Sequence, residues 1–429
     1  MTDKLHVAML SYHTCPLATL GGKDTGGMNV YVKELTCRLG RMNVHADVYT
    51  RSQDEHIPQV VHDLGYGNRV VHIPAGPEVP LPKAQLAEYI PDFVDGILKF
   101  TAKKEISYDL IHSHYWMSGI AARDLKAAWD VPVVHMFHTL GLMKNRIAGE
   151  GEYEGDYRID GEREVLDIAD LVVAATPAEL AQLQWLYEIN ADHLTVVPPG
   201  VDTCHFYPIP KDEAKNYIGA KEQNCMILFV GRIEPLKGID TLIRAVALMH
   251  DQGFLNTYEV CLSIIGGDAD VSEELMSAEM TRLMNLCSEL GIDEYVNFMG
   301  KRSQEKLPYF YSAANVVVVP SHYESFGMVA LEAMACGTPV IASQVGGLAY
   351  LIQDGETGYH IPNQDPQALS EKLMLLLSDP DLRRDMSLKA AMYARDYSWS
   401  NIANQIIEAY KRVLCPKKGG KIYTHEIGM

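Results

Sequence analysis

The 429-residue chain reads as an α/β protein built from two doubly wound parallel sheets in tandem. Three observations predict this. Short apolar runs alternate with helical patterns, the signature of βαβ units. The alternation is interrupted at the proline-rich, aperiodic stretch PPGVDTCHFYPIP (198–210) and then starts afresh. Two sheets therefore fit the runs better than one sheet of about a dozen strands.

In the first half the strand-like runs are HVAML, HADVYT, VVHIPA, DLIHSH, PVVHMFHT, LVVAAT and LTVVPPG. Helical patterns lie between most of them, as at 30–39 and 120–129. The second half supplies MILFVGRI, VCLSIIGG, VNFMG, VVVVPS and PVIAS, and the C-terminal part reads as helix over 366–377, 380–395 and 399–414. The polar tail after Pro416 is expected to pack loosely. The chain has no internal repeat and no low-complexity tract.

Hydrophobic residues make up 47%, enough for large cores. The formal net charge of −19 argues against nucleic acid or an anionic membrane surface as partner, since both need a basic face. An anionic substrate would need a local positive pocket, which gives weight to Arg and Lys gathered in loops. The eight cysteines (Cys15, Cys37, Cys204, Cys225, Cys261, Cys287, Cys336 and Cys415) form no C-x-x-C pair and sit mostly in apolar runs, as reduced core cysteines do. The chain does not open with a basic n-region followed by an apolar h-region, and no apolar run approaches roughly 18 residues. The expectation is a soluble cytoplasmic protein without integral membrane contact; a homodimer is left open.

ESFGMVALEAMACGTPVIASQVGG (324–347) is the most informative segment. Glu324 stands at a strand end and Glu332 lies one to two turns into the next helix, with Ser325, Phe326 and Gly327 leading into that helix. Carboxylates accept hydrogen bonds from hydroxyls, and a helix N-terminus offers unpaired N–H groups and a positive dipole end. One segment can thus hold sugar hydroxyls and an anion together, which is what a nucleotide sugar presents.

In FVGRIEPLKGIDTLIRA (229–245), Arg232 leaves a strand and Lys237 follows in the loop before a helix, so both can clamp phosphates. When a sugar leaves a diphosphate, negative charge grows on the leaving group while the sugar carbon becomes oxocarbenium-like. Cations already in place stabilise that transition state more than the ground state. GGKDTGGMNVYVKEL (21–35) is not G-x-G-x-x-G, so a nicotinamide site does not fit. Gly26 and Gly27 are expected to face the donor diphosphate, and Asn29 the acceptor. Taken alone, that loop also reads as a plain turn.

Asp268 and Asp270 form a D-x-D pattern that suits a metal but reads better as loop; Gly266 and Gly267 beside it can line a nucleotide pocket. His112 and His114 share one strand face, but no third ligand is suggested and no metal is expected. His138, in the run HMFHTLG, reads as a binding group rather than a proton carrier.

The 324–347 segment and the R-x-x-x-x-K spacing resemble the donor site of retaining glycosyltransferases of the GT-B fold, the group containing sucrose-phosphate synthase and glycogen synthase-like enzymes. MLSYHTCPL, TGGMNVYVKEL, DLIHSHYWMSG and HTLGLMKN closely resemble the mycothiol-pathway enzymes that move N-acetylglucosamine from UDP onto inositol phosphate. YRIDGERE resembles the sucrose-phosphate synthase pattern around a phosphate-binding arginine.

The resemblance implies two Rossmann-like domains facing a central cleft. Residues 1–205 would bind the acceptor and 206–395 the nucleotide sugar, while 396–429 would carry a C-terminal helix crossing back, plus a tail. It implies a retaining hexosyltransferase with a UDP-sugar as co-substrate, no cofactor and no required metal, Arg232 and Lys237 standing in for one. Attack comes from the same face of the sugar, with the donor phosphate taking the acceptor's proton. Arg302 matches the position that contacts the base, Glu332 is expected to meet the nucleotide ribose and Glu324 the transferred sugar, and His138 is placed against the donor sugar's 6-hydroxyl. Lys83, Tyr115, Thr139 and Arg158 match the four residues that grip an acceptor phosphate. The acceptor is then a small phosphorylated polyol or sugar.

Transfer of glucose to fructose 6-phosphate is the alternative. A lipid or polysaccharide transferase is disfavoured by the acidic balance and the lack of a basic amphipathic helix. A non-catalytic sensor would not need the set Arg232, Lys237, Glu324 and Glu332.

Overall fold

The computed structural model describes residues 4–18, 26–147, 153–221, 225–267 and 277–415. The first sheet contains β1 (Leu5–Leu10), β2 (Val44–Arg51), β3 (Val60–Val61), β4 (Arg69–Ile73), β5 (Leu110–His114), β6 (Val133–Met136), β7 (Leu171–Ala174) and β8 (Leu194–Val196). Its order is β3-β4-β2-β1-β5-β6-β7-β8, parallel except for the β3–β4 edge. The second contains β9 (Cys225–Val230), β10 (Val260–Ile265), β11 (Val296–Gly300), β12 (Val316–Val319), β13 (Val340–Ser343) and β14 (Gly358–Ile361), in the order β11-β10-β9-β12-β13-β14, parallel throughout. Every apolar run named from the sequence contains a strand. Parallel strands covered on both faces are largely apolar, as β12 (VVVV) is; β5 and β13 are also buried at every residue, although β5 ends in His112, Ser113 and His114 and β13 in Ser343. The edge strands β3 and β14 were not foreseen: one has two residues, and the other, GYHI, carries no apolar run.

The first-half helices are α1 (Gly27–Arg41), α2 (Lys83–Leu86), α3 (Ile90–Lys104), α4 (Trp116–Trp129), α5 (Gly141–Ile147), α6 (Asp156–Ile168) and α7 (Pro177–Tyr187). In the second half are α8 (Lys211–Ile218), α9 (Ile239–Asp251), α10 (Phe254–Thr257), α11 (Ala278–Glu289), α12 (Leu307–Ala313), α13 (Met328–Ala335), α14 (Leu348–Leu351), α15 (Pro366–Ser378), α16 (Pro380–Ala394) and α17 (Trp399–Leu414). The C-terminal helices begin where side chains can cap them: Asp365, Asp379 and Ser398 each accept a bond from a first-turn N–H.

Helix α17 lies against α1 and reaches β6 of the first sheet. Trp399, 1% exposed, meets Tyr31 edge-on at 5.4 Å, and the Tyr410 hydroxyl lies 2.7 Å from His112 Nδ1. One continuous hydrophobic cluster joins both sheets through this helix. Burying each such large side chain contributes about 1.5–3 kcal/mol.

Strand order reverses between β1 and β5 in one sheet and between β9 and β12 in the other. At such switch points, loops from the carboxyl ends of adjacent strands diverge to opposite faces and leave a crevice. The motifs singled out from the sequence stand at these strand ends.

Candidate active site

The second sheet's crevice is closed by a charge pair. Lys237, from the loop after β9, donates to Glu324 Oε2 at 2.7 Å, the carboxylate coming from the loop after β12. Both side chains are about one-fifth exposed (22% and 21%). Glu324 is fixed from behind, its carbonyl accepting the Gly347 N–H at 2.9 Å. Gly346 has φ +47, and a Cβ there would stand 2.0 Å from the Glu324 carbonyl oxygen, so only glycine lets the two loops touch. Gly327 caps α13 without a side-chain cap, leaving first-turn N–H groups of that helix directed at the crevice. Phe326 is buried with its ring 6.1 Å from Tyr397, and Ser325 sits beside the Tyr323 hydroxyl.

Arg232 is more exposed and pairs with Glu234 at 2.6 Å. Gly266, at φ +144, lies so close to the Gly231 carbonyl that a Cβ would approach it to 1.8 Å, which fixes the loops after β9 and β10 together. The Gly266 N–H bonds the Gly300 carbonyl, and Arg302, two residues beyond, turns its guanidinium back onto the Lys301 carbonyl. Glu332 faces inward: its Oε2 accepts the Tyr311 hydroxyl at 2.8 Å, and burial pushes its carboxyl up to about 7 against that bond's opposite pull. Asp268 and Asp270 lie outside the described residues. Among the described residues no group of three or more His, Cys, Asp or Glu could hold a metal ion.

Across the cleft, Gly27 opens α1, and a Cβ on it would stand 3.6 Å from Met328 Sδ at the start of α13. Two helix N-termini therefore face one another. Gly26 and Asn29 depart from their expected places. The Gly26 N–H is taken by Asn29 Oδ1 at 3.1 Å, so it cannot serve a diphosphate. Asn29 is 1% exposed and gives its amide to Thr14 Oγ1 and the Cys15 carbonyl, both at 2.7 Å. It does not face an acceptor; it ties the loop after β1 to the helix start.

The remaining residues converge at the ends of β5 and β6. Tyr115 holds φ +72, ψ +150, a conformation costing a non-glycine residue about 1–3 kcal/mol. Its ring lies 5.8 Å from Lys83 Nζ and 5.2 Å from the Arg158 guanidinium, and 4.5 Å from the His13 ring. Burial pushes the Tyr115 hydroxyl up to about 12, with Arg158 pulling the other way. Arg158 donates to the Thr139 carbonyl at 3.0 Å and Thr139 Oγ1 at 3.1 Å. Lys83, Tyr115, Thr139 and Arg158 thus form one cluster.

Arg158 is not a surface cation. Its side chain is 1% exposed and pairs with Glu162 at 2.9 Å and Glu154 at 2.5 Å. Lys144 also bonds Glu154, and Glu162 receives the Gly141 N–H and the Tyr187 hydroxyl. This carboxylate web was missed, although Glu154, Arg158 and Glu162 stand four apart, the spacing of neighbours on a helix face.

His138, with φ +63, lies with its Nε2 3.0 Å from His114 Nδ1. Tyr31 packs edge-on against both rings. Burial pushes His138 and His112 down to about 3, and holds His114 and His135 far below the usual imidazole range. All four are neutral at pH 7, so His138 can hydrogen-bond but carries no charge. Glu179 was also missed. Its N–H is capped by Thr176, its Oε2 takes the Ala175 N–H, its Oε1 has no partner among the described residues, and burial lifts it to about 7. The Thr-x-x-Glu spacing at 176–179 signals a capped helix start in the sequence, but the Glu179 carboxylate returns to the Ala175 N–H, one residue before the cap.

This architecture, two doubly wound sheets with strand-end loops meeting across a cleft, has known relatives. Residues 25–204 match the model described as Glycosyltransferase Family 4, and residues 210–392 that described as Glycosyl transferases group 1. D-inositol 3-phosphate glycosyltransferase of Acidothermus cellulolyticus is 39% identical, covering 96% of this chain and 91% of its own. The protein of that description from Kineococcus radiotolerans is 40% identical, with 95% of each chain covered. The solved structure of sucrose-phosphate synthase from Thermosynechococcus elongatus superposes with a TM-score of 0.85 at 34% identity, over 95% of this chain and 98% of that one. The chain belongs to the GT-B glycosyltransferase family that holds the D-inositol 3-phosphate glycosyltransferases and sucrose-phosphate synthase. No described helix is long and apolar enough to cross a membrane.

Proposed function

We propose that this protein is a retaining, metal-independent glycosyltransferase that moves a sugar from UDP-N-acetylglucosamine or UDP-glucose to a small phosphorylated acceptor such as inositol phosphate. The observation that carries the reading is the convergence of Lys83, Tyr115, Thr139 and Arg158 in one half of a cleft whose other half holds Lys237 and Glu324. The names of the relatives, which include a phosphorylated inositol, point the same way.

In this reading Lys237, Arg232 and the facing N-termini of α1 and α13 receive the diphosphate, and Glu324 accepts from hydroxyls of the transferred sugar. As the bond from the anomeric carbon to the phosphate oxygen breaks, the negative charge gained by the leaving UDP is met by those cations and N–H groups. The acceptor hydroxyl bonds to the same face of that carbon and gives its proton to the departing phosphate oxygen, which preserves the configuration. Neutral His138 holds the sugar's 6-hydroxyl.

The superposition on sucrose-phosphate synthase favours a second reading, transfer of glucose to fructose 6-phosphate. Incubating the protein with each UDP-sugar against inositol 3-phosphate, fructose 6-phosphate and their unphosphorylated forms, with the product anomer read by NMR, separates the two. Preference for the neutral acceptors would defeat both.

A further inference from the structure

We propose that Arg51 and Tyr12 form a buried clamp that sets the acceptor arm of the cleft, and that Arg51 is a positioning residue for Lys83. The proposal rests on the reading of the first-domain cluster as a phosphorylated-acceptor pocket.

Arg51 ends β2 and is 1% exposed. A buried guanidinium is costly unless its donors are satisfied, and usually a carboxylate does this. Here no described hydrogen-bond partner of Arg51 is a carboxylate. Nε donates to the Ala75 carbonyl at 2.9 Å, Nη1 to the Val79 carbonyl at 3.1 Å, and Nη2 to the carbonyls of Val79 (3.2 Å) and Pro77. Every one of these bonds goes to a single stretch of backbone. Residues 74–82 have neither helix nor strand, so their carbonyls have no ladder to join, and irregular backbone of this kind needs other partners.

A second anchor holds the far end. The Tyr12 hydroxyl donates to the Leu86 carbonyl at 2.6 Å, and the Arg51 N–H bonds the Tyr12 carbonyl at 3.1 Å, which joins the anchors. Gly76, at φ +64, lies so close to Tyr89 that a Cβ would stand 2.3 Å from its ring. Lys83 sits between the anchored carbonyls of residues 79 and 86, at the first position of α2. Its ammonium meets the Tyr115 ring that Arg158 also meets. A long lysine on an unfixed loop would lose side-chain and backbone freedom on gripping an anion; a loop fixed beforehand has already met part of that cost. A hydrophobic residue at position 51 could fill the core, but it could not hold three carbonyls.

The test uses the full-length enzyme, with whichever of inositol 3-phosphate and fructose 6-phosphate wild type turns over as acceptor, and UDP binding by calorimetry as the second readout. Arg51→Lys keeps a charge but cannot span the three carbonyls; it should raise acceptor KM roughly tenfold, with kcat within about twofold and UDP affinity unchanged. Tyr12→Phe deletes one oxygen at the other anchor and should raise KM roughly threefold, and it carries the test if Arg51→Lys fails to fold. Arg51→Lys added to Lys83→Ala should raise KM no further than Lys83→Ala alone, since the first acts through the second. Fully additive effects, or a loss of UDP affinity alongside acceptor affinity, would overturn the assignment. A wild type that demands the acceptor phosphate while folded Arg51→Lys and Tyr12→Phe keep its KM overturns the clamp alone. A wild type indifferent to the phosphate overturns the acceptor reading and the clamp with it.

Discussion

Replacing Arg158 with alanine should cost stability as well as acceptor affinity, and the two losses can be separated. The side chain is 1% exposed and its partner Glu162 is fully buried, 2.9 Å away. Without Arg158, Glu162 keeps the Gly141 N–H and the Tyr187 hydroxyl but loses its counter-charge. Breaking a buried pair from one side costs about 3–5 kcal/mol, against a total stability of about 5–15 kcal/mol. For a cooperative unit of about 200 residues this lowers Tm by roughly 6–20 °C. Burial already raises the Glu162 carboxyl and Arg158 opposes that, so the variant should regain stability as pH falls and Glu162 takes a proton. The double variant Arg158→Ala/Glu162→Gln removes the stranded charge and should recover much of the Tm at pH 7. Acceptor KM should stay raised roughly 10- to 100-fold in both variants, because neither has the guanidinium. Thermal unfolding by circular dichroism and acceptor KM below the lower Tm decide the matter. A single variant as stable as wild type would refute the buried pair. A double variant that regains KM together with Tm would show that Arg158 holds the fold and never meets the acceptor.

Lys237→Ala and Arg232→Ala should lower kcat, by roughly 10²–10³-fold for Lys237, with little change in acceptor KM; near-normal turnover in both would sink the donor assignment. Activity should survive EDTA; complete loss restored by Mn²⁺ or Mg²⁺ would make Asp268 and Asp270 ligands. Glu332→Ala should weaken UDP by about 1.5–3 kcal/mol in calorimetry, whereas Glu324→Ala should spare UDP and lower turnover, so equal UDP affinity in wild type and Glu332→Ala rejects the ribose role. Below pH 6.5 the unfolded chain protonates His112, His114, His135 and His138 while the fold keeps them neutral, and the fold protonates Glu179 and Glu332 earlier than the unfolded chain does. The four imidazoles outnumber the two carboxyls, so the unfolded state binds more protons and urea titrations should show stability falling as pH drops from 6.5 to 5; stability flat across that window would contradict the neutral cluster.

What the sequence made legible follows from burial. Strands covered on both faces, such as VVVV, are largely apolar and announce themselves; edge strands such as Val60–Val61 need not. The placing of Lys237 and Glu324 at strand ends beside one crevice was readable because strand ends are visible where an apolar run stops. Asn29 was misjudged because a polar residue after a glycine loop reads equally as ligand contact or cap, and only its bonds to Gly26, Thr14 and Cys15 decide. Arg51 gave no signal at all: an arginine closing a strand looks solvated until the folded 74–82 loop covers it.

The cations of the cleft differ in what holds them, and this assigns them different work. Lys237 and Glu324 form a pair still one-fifth exposed, so exchanging one partner for another costs little desolvation. On the proposed reading, a diphosphate that takes Lys237 would release Glu324 in the same step and leave its oxygen lone pairs for sugar hydroxyls. Binding the anion would thus prepare the group that reads the sugar; with UDP alone, Glu324 would keep the Ser321 hydroxyl, 3.4 Å away, and water. Arg158 cannot trade in this way, since leaving Glu162 uncompensated is too costly. On the proposed reading it would meet an acceptor with the donors that Glu154, Glu162 and Thr139 leave over, in a geometry fixed before the acceptor arrives. In a chain of net charge −19 the exchangeable pair suits the group that leaves as UDP, and the fixed one suits the group that must be aimed.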